Sequence, residues 1–141
     1  MAKKVFKLEV TTDVDFLMAG IICPFKDYRL CFEINDALGL QLKRKKDHTI
    51  YLGKPGAVAT FSHYAFTNKF GEAFFVLSNK SLNGILIPEK NAFDYLLMIK
   101  NSGAHFDFEV FLKKLKSIEM ISAIAEIFPE QLKSCDNLLL D

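Results

Sequence analysis

A chain of 141 residues fits one domain, and a domain of this size buries roughly two thirds of the surface its unfolded chain exposes. Half the residues are hydrophobic and 13% are aromatic, with fourteen Phe and no Trp, which excludes disorder and points to a sheet-containing globule with a Phe-rich core. The formal net charge of +1 supplies no global field for nucleic acid or an acidic membrane surface, leaving only local patches for such partners.

Met1 to Lys4 is basic, but Lys7 and Glu9 interrupt the apolar stretch a secretion signal needs, and Asp13 and Asp15 follow; export is not expected. Val5 to Val10 alternates with apolar side chains at 6, 8 and 10, the period of a strand with one buried face. Asp15 to Cys23 is rich in Phe, Leu, Met and Ile and stops at Pro24, as a strand covered on both faces does. The apolar run Phe16 to Phe25 is far short of the roughly 20 residues of a membrane span, so no membrane partner is expected.

From Asp27 the apolar positions become Leu30, Cys31, Ile34, Ala37 and Leu38, the stripe of an amphipathic helix. Gly39, able to take a positive φ, stops it. Leu40 to Arg44 returns to alternation, predicting a strand, helix, strand unit, and Lys43 to Lys46 reads as a solvated strand end and turn. Further extended runs are His48 to Leu52, Val58 to Phe66, Ala73 to Ser78 and Ile85 to Ile87. The short separators Gly53-Lys54-Pro55-Gly56, Asn68-Lys69-Phe70-Gly71 and Ser81-Leu82-Asn83-Gly84 favour antiparallel hairpins.

Phe93 to Lys100 is apolar without a clear period; strand is preferred, with helix the alternative. Phe108, Phe111, Leu112, Leu115 and Ile118 form a second helical stripe, with Glu109, Lys113, Lys114 and Lys116 opposite. Ile121 to Phe128, stopped by Pro129, is ambiguous by period between strand and helix but strand-like in its isoleucines, and read as a strand it completes a second strand, helix, strand unit. The fold class expected is α+β: a single domain over residues 1–141, with a mixed, mostly antiparallel sheet and two main helices packed on one face.

No stretch assembles a site by motif. Cys23, Cys31 and Cys135 are odd in number and lack C-x-x-C spacing, which fits reduced thiols in a cytoplasm. His48, His63 and His105 have no metal-ligand spacing, so neither a metal nor a cofactor is expected. Ser62 and His63 are adjacent on a strand and point to opposite faces, so they cannot act as a nucleophile and its base. Gly53-Lys54-Pro55-Gly56 is a turn and lacks the arrangement of a phosphate loop. Lys69 to Val76 has a distant likeness to the stacking strand of an RNA-recognition motif, but Glu72 interrupts it and a core strand is the better account.

The anomalous segment is Ile87 to Tyr95, which sets Pro88, Glu89, Asp94 and Tyr95 inside apolar sequence. Pro88 cannot donate to a ladder and belongs where pairing ends. With Asp27, Tyr28 and Arg29 at the start of the first helix, these residues form the candidate polar cluster. The expectation is an ion pair from Arg29 to Asp94 or Glu89, locking a helix start to a strand end. A carboxylate left free in a cleft would instead be open to a ligand, or to acid/base work. No residue is assigned a catalytic role.

These residues resemble the bacterial IPExxxVDY family, whose function is uncharacterised. Ile87-Pro88-Glu89, three free positions, then Phe93-Asp94-Tyr95 match its motif, with Phe93 in place of the name-giving Val. The resemblance extends to Phe16-Leu17, Gly20-Ile21, Asp27-Tyr28-Arg29-Leu30, Asn35, Leu38, Phe61-Ser62, Asn79-Lys80, Leu132-Lys133-Ser134 and Asn137-Leu138. It implies no activity, and ranks Asp27, Tyr28, Arg29, Glu89, Asp94 and Tyr95 as the sites to inspect. The function expected is a small cytoplasmic, non-catalytic binding or protein-interaction module, acting as a homodimer or with an unknown protein partner. The alternatives are RNA or nucleotide binding through Lys43 to Lys46 and Lys113 to Lys116 near an exposed aromatic, and a small-molecule enzyme using Glu89 or Asp94.

Overall fold

The computed structural model describes residues 16–53 and 55–138; the expected strand Val5 to Val10 lies outside them. Among the described residues, ten strands, two α-helices and three short 3-10 turns follow one another. The strands are β1 (Leu17–Ile22), β2 (Lys43–Arg44), β3 (His48–Tyr51), β4 (Val58–Phe61), β5 (His63–Thr67), β6 (Ala73–Ser78), β7 (Lys80–Ser81), β8 (Gly84–Ile85), β9 (Tyr95–Lys100) and β10 (Ala123–Ile127). The helices are α1 (Asp27–Leu38) and α2 (Phe108–Lys116).

Six strands make the main sheet in the order β10-β1-β9-β6-β5-β2, with antiparallel neighbours throughout. The α+β class with a mostly antiparallel sheet is therefore as read from sequence. Both expected strand, helix, strand units are present, and in each the two strands run parallel without touching. β9 and β10 flank β1, while β1 and β2 are separated by three strands.

Alternation along the central strands sends side chains to two cores. Ala19, Ile21, Phe74, Val76, Tyr95, Leu97 and Ile99 pack against Leu30, Cys31 and Ile34 of α1 and Phe111 and Leu115 of α2. Met18, Phe75, Leu77, Leu96 and Met98 face the other way, onto Ala59 and Phe61 of the β3–β4 hairpin and onto Leu86, Ile87, Leu132 and Leu138. Both helices thus lie on one face, and the opposite face has a cover of its own, giving three layers.

Helix ends follow local chemistry. Gly39 takes φ 70 and its N–H donates to Asn35 O, closing α1. Asp107 caps α2 by accepting from Val110 N at 3.1 Å. Three expected strand bounds are corrected. Only Lys43–Arg44 of the run 40–44 pairs, because Leu42 gives its N–H and carbonyl to the Asn35 side chain (2.9 and 3.2 Å). The run 58–66 is two strands, since the chain leaves the β3–β4 pair at Ser62 and enters the main sheet at His63. The run 85–87 stops pairing at Ile85, because the Ile87 N–H is taken by a side chain, Asn79 Oδ1, at 2.9 Å.

Candidate functional site

Residues 87–94 link β8 to β9 and carry the polar motif; Pro88–Lys90 forms a 3-10 turn. Proline at the first position of such a turn costs no hydrogen bond, because that N–H would be unpaired anyway. The segment is wrapped around one side chain that sequence reasoning did not select, Asn79, which is fully buried. Its Nδ2 donates to the carbonyls of Lys90 and Phe93, both at 3.0 Å, and its Oδ1 accepts from Ile87 N at 2.9 Å. Its backbone N–H donates to Asp94 O, and its carbonyl accepts from Leu86 N. A buried amide with every group engaged specifies one loop shape, whereas a half-satisfied one is costly. The sequence signal for it was Asn79-Lys80 among the family-like positions.

Asp94 and Tyr95 tie this segment to the connection between β1 and α1. Asp94 Oδ2 accepts from Cys23 N at 2.9 Å, Oδ1 meets Lys80 Nζ at 3.1 Å, and its own N–H donates to Ile21 O. Tyr95 reaches across to donate its hydroxyl to Phe25 O at 2.6 Å. Burial, reinforced by the Asp27, Cys23 and Asp94 charges, pushes the Tyr95 phenol well above its ordinary value, so it stays a neutral donor. Cys23 is buried, and its thiol is raised by burial and by Asp94, although a Phe25 backbone hydrogen bond opposes this. Such a thiol is a poor nucleophile. An open cleft of about 430 Å³ lies here, lined by Cys23, Pro24, Phe25, Lys80, Asp94 and Tyr95 among others.

Glu89 serves the opposite side. Its Oε2 accepts from Ser134 N at 2.7 Å and its Oε1 from Ser134 Oγ at 2.9 Å. Burial works against its charge, but the Ser134 N–H and hydroxyl outweigh this and hold the carboxyl below the ordinary range. The same C-terminal segment is fastened by Asn137, whose Nδ2 donates to Leu86 O at 2.8 Å and whose carbonyl accepts from His48 Nε2 at 2.5 Å. Ser134 and Asn137 are further residues that sequence reasoning left outside the candidate cluster.

The expected ion pair from Arg29 is corrected. Asp94 takes Lys80 and Glu89 takes Ser134, while the Arg29 guanidinium lies over the Phe25 ring, 5.6 Å from its centroid. Asp27 also turns elsewhere, to Arg44 at 3.5 Å, and Arg44 is shared with Asp47 at 2.6 Å. Tyr28 is exposed. The structure thus gathers Asp94 and Tyr95 at the entry to α1, where Asp27, Tyr28 and Arg29 begin the helix, and places Glu89 against the C-terminal segment.

A second cleft, about 630 Å³, is lined by Lys45, Lys46, Asp47, His48, Thr49, Tyr51, His63 and Ala65. Tyr51 stands 82% exposed. His63 Nε2 is buried with no hydrogen-bond partner among the described residues. Among the described residues no three His, Cys, Asp or Glu side chains come together as a metal site, and no helix is long and apolar enough to cross a membrane. Comparison with protein-family models, curated proteins and solved structures gave no match.

Proposed function

We propose that the protein is a small, cytoplasmic, non-catalytic interaction module that associates with itself, and that it is kin to the IPExxxVDY family. The observation that carries this reading is the outer surface of α1. Tyr28 and Phe32 are 59% and 65% exposed, and Phe25, just before the helix, is 42% exposed. Residues four apart on a helix are neighbours, so Tyr28 and Phe32 share one face of α1, and Phe25 stands at the start of the helix beside it. Single exposed apolar side chains are ordinary, but a contiguous patch rimmed by charge is what an interface offers. The motif's carboxylates, by contrast, are engaged by groups of the same chain. That supports a supporting role for the motif, which sets the approach to α1 and pins the opposite layer. Buried thiols at Cys23 and Cys31 accord with a reducing compartment. Size-exclusion chromatography with light scattering is expected to give a dimer in the micromolar range; a clean monomer throughout overturns self-association.

Nucleotide or RNA binding is the second reading, favoured by one observation: Lys45, Lys46 and the exposed ring of Tyr51 line the same cleft. Cations beside a stacking ring are the ingredients of single-strand recognition. Binding of a fluorescent oligoribonucleotide should then weaken steeply with salt and be lost in Lys45→Ala/Lys46→Ala, and salt-independent or absent binding overturns it. An enzyme using Glu89 or Asp94 needs one carboxylate unpaired, and Ser134 and Lys80 occupy them.

A further inference from the structure

We infer that α1 docks antiparallel on α1 of a second copy of this chain across a two-fold axis at the level of Cys31; this rests on the self-association reading and names its surface. Charge order along the helix is the first ground. The outward charges begin with the exposed Lys26 and Arg29 and end with the half-buried Glu33 and the exposed Asp36. A helix alone prefers the reverse, because its N-terminal end is partially positive and its C-terminal end partially negative. α2 has the preferred order, with Glu109 in its first turn and Lys113, Lys114 and Lys116 in its last. α1 has no basic residue in its last turn, and Asp27, the acid of its first turn, is turned to Arg44. The order of the outward charges on α1 is thus not explained by the stability of the helix.

Symmetry is the second ground. Lys26 and Asp36 stand five positions either side of Cys31, and Arg29 and Glu33 two positions either side. Laying the helix on an antiparallel copy of itself sets Lys26 against Asp36 and Arg29 against Glu33, twice each, as an isologous contact requires. Tyr28 and Phe32 fall between these pairs and meet across the axis. Within the chain these four charges make no ion pair among the described residues. Arg29 and Glu33 are one turn apart, yet Arg29 lies on Phe25, leaving Glu33 for a partner.

The test is a charge swap. Lys26→Glu/Arg29→Glu makes the surface all acidic, and Glu33→Lys/Asp36→Lys makes it all basic. Each change moves its end of α1 toward the order the helix dipole prefers, so helicity by circular dichroism should hold. Each variant alone is expected to be monomeric, at least about 100-fold weaker in self-association, and a one-to-one mixture is expected to dimerise again. If either variant dimerises like the unaltered protein, the α1 surface is overturned while self-association through another face survives; an unaltered protein that is monomeric overturns both. Should a variant not fold, zero-length carbodiimide coupling of mixed 14N and 15N unaltered chains decides the matter. Links between Lys26 and Asp36 of different chains are expected, and a dimer without them overturns the inference.

Discussion

Two residues at the heart of the motif carry measurable consequences. Replacing Asn79 by Leu keeps the side chain's approximate size but removes the partners of the Ile87 N–H and of the Lys90 and Phe93 carbonyls. Leaving buried polar groups unpaired costs more than a hydrogen bond contributes, so a loss of about 3 kcal/mol is expected in urea unfolding, with an unchanged m-value. Gly20, in the middle of β1, has the Phe93 ring lying directly on it, and a Cβ there would overlap that ring. Gly20→Ala should destabilise by about 2 kcal/mol through overpacking. Phe93→Val opens the space. The Ala substitution should then cost far less, and a double-mutant cycle that finds the two changes additive contradicts this contact.

At the scale of elements, the motif is a clamp with two arms. Asp94 and Tyr95 hold the β1–α1 connection, and Glu89 holds the C-terminal segment that covers the second core. Glu89→Ala should speed hydrogen exchange around residues 134–138 while the amides of β9 and β6 keep their protection, since local opening is independent of global unfolding. Equal acceleration in β9 would mean that Glu89 supports the whole sheet instead. The order of elements was largely legible in sequence, while the partners of this clamp were not. The 3.6-residue stripes of 30–38 and 108–118 report directly on buried faces, and the apolar run of 73–78 reads as an extended strand and is one. Proline and glycine marked the breaks. What was hidden is pairing at a distance: a carboxylate's partner depends on which strands become neighbours, and β1 and β9 are adjacent although more than seventy residues apart in the chain. Arg29 was the cation expected from the polar cluster, but Lys80 is the one that strand order delivers to Asp94. The short strand β2 shows the same limit, because Asn35 competes for Leu42 through side-chain bonds that hydropathy does not register.

For the molecule as a whole, two cores on one sheet place titratable groups where their charge is opposed or required, and this sets a stability plateau in pH. On the acid side, burial lowers the His63 imidazole below its ordinary 6.5; His48 and Lys45 reinforce the shift, while the Lys46 backbone and Asp47 oppose it. The unfolded chain therefore takes up that proton first, so stability present above about pH 6.5 falls as pH drops through the folded value. Glu89, also lowered, adds a further loss below its ordinary 4.5. On the alkaline side, burial, with Asp27 adding to it, pushes the Cys31 thiol from 9.0 up to about 12. An unfolded chain ionises that thiol near pH 9 and the folded one does not, so stability complete below pH 9 declines above it, and Tyr95 extends the decline in the same direction. Urea midpoints measured at pH 5, 7.5 and 10 should accordingly be highest at 7.5. His63→Gln should flatten the slope between pH 7.5 and 5 without touching the alkaline limb, and Cys31→Ala should lower the whole curve through its cavity while flattening the limb above pH 9. A His63→Gln protein that keeps the full acid slope would place the proton uptake elsewhere, and the cleft histidine would then be a packing group alone.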